Sequence, residues 1–249
     1  MSWTVIVPVK RLAVAKSRLR PATTRVDRPP ARNAAAGAAA AAAAHEAAEH
    51  QTLVLAMAMD TIAAALASPV VGRVVVVTAD PVTAEEAAVL GAETIADVPD
   101  AGLNPALAYA AAQLRRTGVA GNEPGIAALS ADLPALRSQD LTDALRGAEE
   151  AAQGLGPRAL ARSFVADAAG TGTVLLAAPP GSVLEPCFGP SSAAAHEASG
   201  AVPLHGTWPS LRRDVDTPAD LAEALTLGVG PRTAAAYDAR SATSSPVAG

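Results

Sequence analysis

At 249 residues the chain is long enough to bury a full core, while a net charge of −5 and an aromatic content of 2% argue against a nucleic-acid-binding surface. Its single cysteine, Cys187, excludes an intramolecular disulfide framework and suits a reducing compartment. The chain reaches an apolar run by Trp3 without a charged leader, and no segment holds the roughly 18 strongly apolar residues of a membrane span. The expectation is a cytoplasmic protein with no membrane or nucleic-acid partner.

The first run, "TVIVPV" over 4–9, predicts a buried strand. It leads into "KRLAVAKSRLR", which holds the chain's only lysines, Lys10 and Lys16, together with Arg18. Ammonium groups at a strand's carboxyl end can grip phosphates, whereas the same spacing also fits a solvated basic helix face. The glycines of a Walker loop are missing. The alanine-rich stretch over 28–50 is low in complexity, fits either a helix or a flexible segment, and reads as an insertion that lengthens a loop. "LVLAMAMDTIAAALA" then predicts a helix over 52–67, interrupted in its apolar character by Asp60.

Further on, valine- and alanine-rich runs alternate with helical patterns. Strands are expected over 73–80, 92–97, 125–132 and 173–179, and helices over 82–90, 104–116, 138–153, 191–199 and 217–227. That alternation is the mark of βαβ units and an α/β fold with a mostly parallel central sheet flanked by helices. Ligands in such sheets bind beyond the carboxyl ends of the strands, so the residues there are the candidates for chemistry.

Asp132, in "LSADLPAL", closes the run at 125–132. A carboxylate there suits Mg²⁺, which takes hard oxygen ligands; the plainer alternative is a residue that turns the chain. "RRDVDTPADL" adds Asp214 and Asp216, two positions apart and so expected on one face of an extended segment. "DAAGTGTVLL" offers Thr171 and Thr173 beside glycines, and "EPCFGPSSAAAHEA" offers Gly189 and Ser192 at a helix start. Both could seat a small anion, and both are also ordinary turn chemistry. The four histidines show no zinc-ligand spacing, Cys187 reads as a packed residue, and Ser130 is not in a hydrolase elbow.

Taken in order, "VPVKRLAVAKSRL", "LVLAMAMDT", "VVVVTAD", "GLNPAL", "LSADLPAL", "GTGT", "FGPSSAAAH" and "DVDTPADL" resemble the guanylyltransferase family of coenzyme F420 biosynthesis, whose members act on 2-phospho-L-lactate or phosphoenolpyruvate. The likeness covers about residues 3 to 228. It implies a single-domain nucleotidyltransferase fold, Rossmann-like and similar to that of molybdenum-cofactor guanylyltransferases. It also implies GTP, Mg²⁺ and a small phosphorylated carboxylic acid as reactants, and a downstream F420-assembly transferase as a partner. Thr173, Gly189 and Ser192 match the family's acid-binding positions, with Thr171 the alternative to Thr173, and Asp132 with Asp214 or Asp216 matches the metal carboxylates. Lys10, Lys16 and Arg18 are expected on the triphosphate, with Lys16 and Asp132 in catalysis, and Asn104 of "GLN" on the nucleoside or capping its helix. The arginine- and alanine-heavy composition leans towards phosphoenolpyruvate over phospholactate or 3-phosphoglycerate. The nucleotidyltransferase domain is placed at 1–230, followed by a flexible tail over 231–249.

Overall fold

The computed structural model describes residues 2–10, 34–98, 100–117, 123–154 and 161–244. Lys16 and Arg18 lie outside them. The centre of the fold is β1 (Trp3–Pro8), whose residues Trp3 to Val7 are buried. A strand buried on both faces needs a continuous apolar run rather than an alternating one, and "WTVIV" supplies it. Parallel neighbours flank it: β2 (Val71–Thr78) on one side and β4 (Gly125–Leu129) on the other. The edge strand β3 (Glu93–Ala96) pairs with β2, and its exposed Glu93 forms a bidentate pair with Arg73.

Beyond β4 the direction reverses. β6 (Thr173–Ala178) runs antiparallel to β4 and to β5 (Ser163–Ala166), and the two-residue β7 (Val202–Pro203) closes the sheet in the order β3-β2-β1-β4-β6-β5-β7. The reversal has a functional consequence. It brings the first residue of β6, rather than its last, to the carboxyl edge of the parallel strands.

Alternate side chains feed two cores, as the two-residue period of a strand requires. Trp3, Val5 and Val7 face α1 (Ala34–Leu66), α2 (Pro81–Val89) and α4 (Ser138–Gly154), while Ile6, Val75 and Ile126 face α3 (Leu103–Thr117) and α5 (Ser192–Ala198). The scarcity of aromatics raises the weight of Trp3, fully buried with its indole N–H donating to Glu149 Oε1 at 2.9 Å. Gly125 lies so close against the indole that a Cβ there would overlap the ring.

Two expectations need correction. From Ala34 onward the alanine-rich stretch takes its helical alternative and lengthens a helix rather than a loop: it is the first half of α1, one continuous helix of 33 residues. Alanine has the highest helix propensity of any residue, so a run read as low complexity extends the helix without breaking it. The expected tail is a helix through residue 244: after α6 (Pro209–Arg212) and α7 (Pro218–Leu227), α8 (Pro231–Ser244) packs along α1. Asp60, buried near the C-terminal end of α1, accepts the backbone N–H groups of Arg232 (3.3 Å) and Thr233 (2.7 Å). It thus satisfies the free amides that open α8, a capping role filled from a distant helix. Among the described residues, no helix is long and apolar enough to cross a membrane.

Candidate active site

Three features line up along the carboxyl edge of the sheet. The first is a cavity of about 170 Å³ over the ends of β3, β2 and β1, walled by Pro8, Val9, Val77, Ala79, Leu103 and Ala106, with Lys10, Asp97 and Asp100 among its polar lining. Lys10 is exposed at the end of β1, where Val9 extends the pairing by donating to Val77 O at 2.9 Å.

The second is the carboxylate group beyond β4. Asp132 is half-buried, and its backbone oxygen accepts Val215 N–H at 3.0 Å. That bond sets the segment 214–216 directly beside the end of β4. Val215 is fully buried among Leu53, Met57 and Leu221, while Asp214 is half-buried and Asp216 exposed on either side of it. The segment is irregular rather than a strand, but the buried valine between two aspartates still turns both away from the core. Asp220 belongs to the capping box of α7 with Thr217, and one of its oxygens also accepts the Asp216 amide at 3.2 Å. Among the described residues, no three His, Cys, Asp or Glu side chains converge on a metal position. Mg²⁺ characteristically uses one or two carboxylates and completes its shell with phosphates and water, and a half-buried Asp132 next to Asp214 fits that pattern.

The third feature is a cradle of turns at the start of β6, the candidate seat for an anion. Ser130 N–H donates to Val174 O at 2.9 Å, which places the beginning of β6 two residues from Asp132. The preceding turn is held by Asp167, whose two carboxylate oxygens accept Thr171 N–H and Gly172 N–H, each at 2.9 Å. Thr171 O accepts Ala193 N–H at 3.1 Å, so this turn is joined to α5. Thr173, Gly189 and Ser192 are thereby brought into one neighbourhood, with Thr173 and Ser192 both buried. Gly189 has φ 142°, a conformation that strains any side chain, and Ser191 adopts the left-handed region at φ 56° to turn into α5.

His196 organises this cradle, and the spacing of the histidines gave no hint of it. It is fully buried; Cys187 N–H donates to its Nε2 at 2.9 Å, and its Nδ1 lies 2.9 Å from Thr173 Oγ1. A backbone amide can only donate, so Nε2 is the unprotonated nitrogen and Nδ1–H donates to Thr173. Burial, and then the nearby Arg162 guanidinium, push the His196 pKa down to about 4, outweighing the opposing hydrogen bond to the Ser192 backbone. The imidazole is neutral throughout the ordinary pH range. The edge of Phe188 packs against its ring at 5.0 Å.

The Asn104 side chain does not cap its own helix but reaches the loop before α5. Its amide spans the Phe188 backbone, donating to Phe188 O at 2.9 Å and accepting Phe188 N–H at 2.8 Å. That pair ties α3, which flanks the cavity, to the loop carrying Gly189. Buried Arg162 fixes the loop's other end through Glu185 O at 3.2 Å and the Glu185 carboxylate at 2.6 Å. Cys187 contributes through its backbone; its thiol only approaches Glu185 O.

No protein-family model matches the chain. It is 53% identical over 232 residues to a phosphoenolpyruvate guanylyltransferase of Salinispora arenicola, covering 93% of this chain and 92% of the relative. It is 50% identical over 234 residues to one of Geodermatophilus obscurus, covering 94% and 93%. Among solved structures, 4-diphosphocytidyl-2C-methyl-D-erythritol synthase superposes with a TM-score of 0.50 at 13% identity, over 91% of this chain and 98% of that one, which shows a shared nucleotidyltransferase fold. The chain belongs to the phosphoenolpyruvate guanylyltransferase family.

Proposed function

We propose that the protein transfers GMP from GTP to phosphoenolpyruvate, giving enolpyruvyl-diphospho-5'-guanosine and pyrophosphate, and hands the product to an F420-assembly transferase. The observation that carries this reading is the order along the sheet edge: base-sized cavity at β3-β2-β1, carboxylates beyond β4, anion cradle at β6. A nucleotide whose base lies in the cavity would extend its α-phosphate towards Asp132, with an acid at Thr173, Gly189 and Ser192 on the far side.

The reaction asks little of the side chains. A phosphate monoester carries its second negative charge near pH 7, so an acceptor oxygen can attack the α-phosphorus without a general base. A new bond forms from that oxygen to the α-phosphorus, the bond from the α-phosphorus to the oxygen bridging to the β-phosphorus breaks, and the electron pair leaves on pyrophosphate. Alignment and charge neutralisation then carry catalysis. Mg²⁺ held by Asp132 with Asp214 or Asp216 would supply charge neutralisation to phosphate oxygens of both substrates. Lys10, Lys16 and Arg18 are assigned to the leaving pyrophosphate. The hydroxyl and amide donors of Thr173, Gly189 and Ser192 suit an acid of few atoms better than a sugar phosphate or a pterin.

The test is pyrophosphate release by the purified protein with GTP and Mg²⁺, offered phosphoenolpyruvate, 2-phospho-L-lactate and 3-phosphoglycerate in turn. Release with phosphoenolpyruvate is expected. Release only with phospholactate or phosphoglycerate would overturn the substrate assignment, and release with none would overturn the reaction.

A further inference from the structure

The cavity at the end of β3, β2 and β1 combines apolar walls from Pro8, Val77, Ala79 and Leu103 with a carboxylate, Asp97, that the chemistry above does not use. Its size admits one planar ring system and falls below the range that encloses a whole nucleotide. Asp97 is half-buried and held in place from two directions: its N–H donates to Thr78 O at 3.2 Å, and its Oδ1 accepts Asp100 N–H at 3.2 Å. An ionised carboxylate has about four acceptor positions, so a single internal bond leaves it able to receive two further donors side by side. Asp100, by contrast, is exposed on a left-handed turn at φ 39°.

With GTP as donor, as in the reading above, we infer that Asp97 selects the base by accepting the N1–H and 2-amino group of guanine. Guanine presents these two adjacent donors on one edge. Adenine presents an unprotonated N1 there, which would set lone pairs against the carboxylate. The site is therefore complementary to guanine and repels adenine, a discrimination that a purely apolar slot would not provide.

Asp97→Asn tests this through equilibrium binding of GTP, xanthosine triphosphate and ATP to the full chain, with pyrophosphate release measured in parallel. An asparagine amide offers an N–H where the carboxylate offered oxygen, and xanthine carries an oxygen at C2 in place of the amine. The variant is expected to bind GTP about ten- to a hundred-fold more weakly than wild type and to gain affinity for xanthosine triphosphate by a comparable factor. A folded variant that keeps its preference for GTP overturns the inference, as does the same switch in Asp100→Asn but not in Asp97→Asn. Wild type offered inosine triphosphate, which lacks the 2-amino group, decides the matter if the variant folds poorly: binding about ten-fold weaker than GTP is expected, and equal binding overturns the inference. Failure of guanylyl transfer itself shows separately, as wild type that binds GTP but releases no pyrophosphate with any acid; base selection is then judged on binding alone.

Discussion

Thr173 Oγ1 and His196 Nδ1 lie 2.9 Å apart, and the Cys187 amide on the opposite nitrogen fixes His196 as the donor in that bond. The hydroxyl hydrogen of Thr173 therefore points away from the imidazole, and under the proposed function it would donate to the acid. Thr173→Val keeps the shape and removes that donor. A hydrogen bond to a charged group is worth about 1.5–3 kcal/mol, so KM for the acid should rise about ten-fold or more while KM for GTP stays within about two-fold. Thr173→Ser should restore it. Steady-state kinetics with each substrate varied in turn check the split, and an unchanged acid KM in the valine variant would remove Thr173 from the cradle.

The neutral state of His196 also predicts how stability responds to pH. Its folded pKa of about 4 lies below the ordinary histidine value of about 6.5, so between those values the unfolded chain holds the proton and the folded chain does not. Stability is then fully present above about pH 6.5 and falls as pH drops towards 4, by roughly 2 kcal/mol between pH 7.5 and 5. Denaturant unfolding at stepped pH values should show that slope. His196→Gln should flatten it across this window even though the variant starts from a lower stability.

Local patterns carried much of the fold into view. The valine-rich runs at β1, β2 and β4 announce buried parallel strands because each must be apolar on both faces, and the family motifs lie at their ends. What stayed hidden depended on partners distant in the chain. β5 and β7 have four and two residues, too few for any period to declare itself. α8 is alanine with serine, threonine and charge, a composition that does not separate a tail from a helix; its N-terminus is completed by Asp60, more than a hundred positions earlier. His196 belongs to no metal spacing, and its partners come from residues 173 and 187. A signal was present nonetheless: His196 stands one helical turn after Ser192, on the same face of the helix.

The Asp60 cap yields a stability prediction independent of catalysis. Removing a buried carboxylate that accepts two backbone amides leaves those donors unsatisfied, at about 1–3 kcal/mol. Asp60→Ala should lower the midpoint of denaturant unfolding accordingly and increase hydrogen exchange at the start of α8. Deleting residues 231–249 should destabilise the protein, because α8 covers α1, whereas a true tail could be removed without effect. Calorimetry or urea titration of both proteins separates the two cases.

Asp132 and Asp214 give the sharpest test of the proposed chemistry because a backbone bond joins the segments that carry them. The bond from Val215 N–H to Asp132 O survives replacement of either carboxylate, so the two segments should stay together when charge is removed. Asp132→Asn and Asp214→Asn are expected to unfold within a few degrees of wild type, yet to lose about a hundred-fold or more in kcat, in line with removing electrostatic support from a phosphoryl-transfer transition state. Raising Mg²⁺ should recover part of the loss if the carboxylate acts by holding the ion, and chelation of divalent metal should silence wild type reversibly. Asp216→Asn supplies the contrast, since Asp216 is the exposed member of the pair flanking Val215. A Mg²⁺ titration of pyrophosphate release in all three variants identifies the ligand as the residue whose loss moves the midpoint to higher Mg²⁺. Full activity in Asp132→Asn at ordinary Mg²⁺ would remove this aspartate from the metal site.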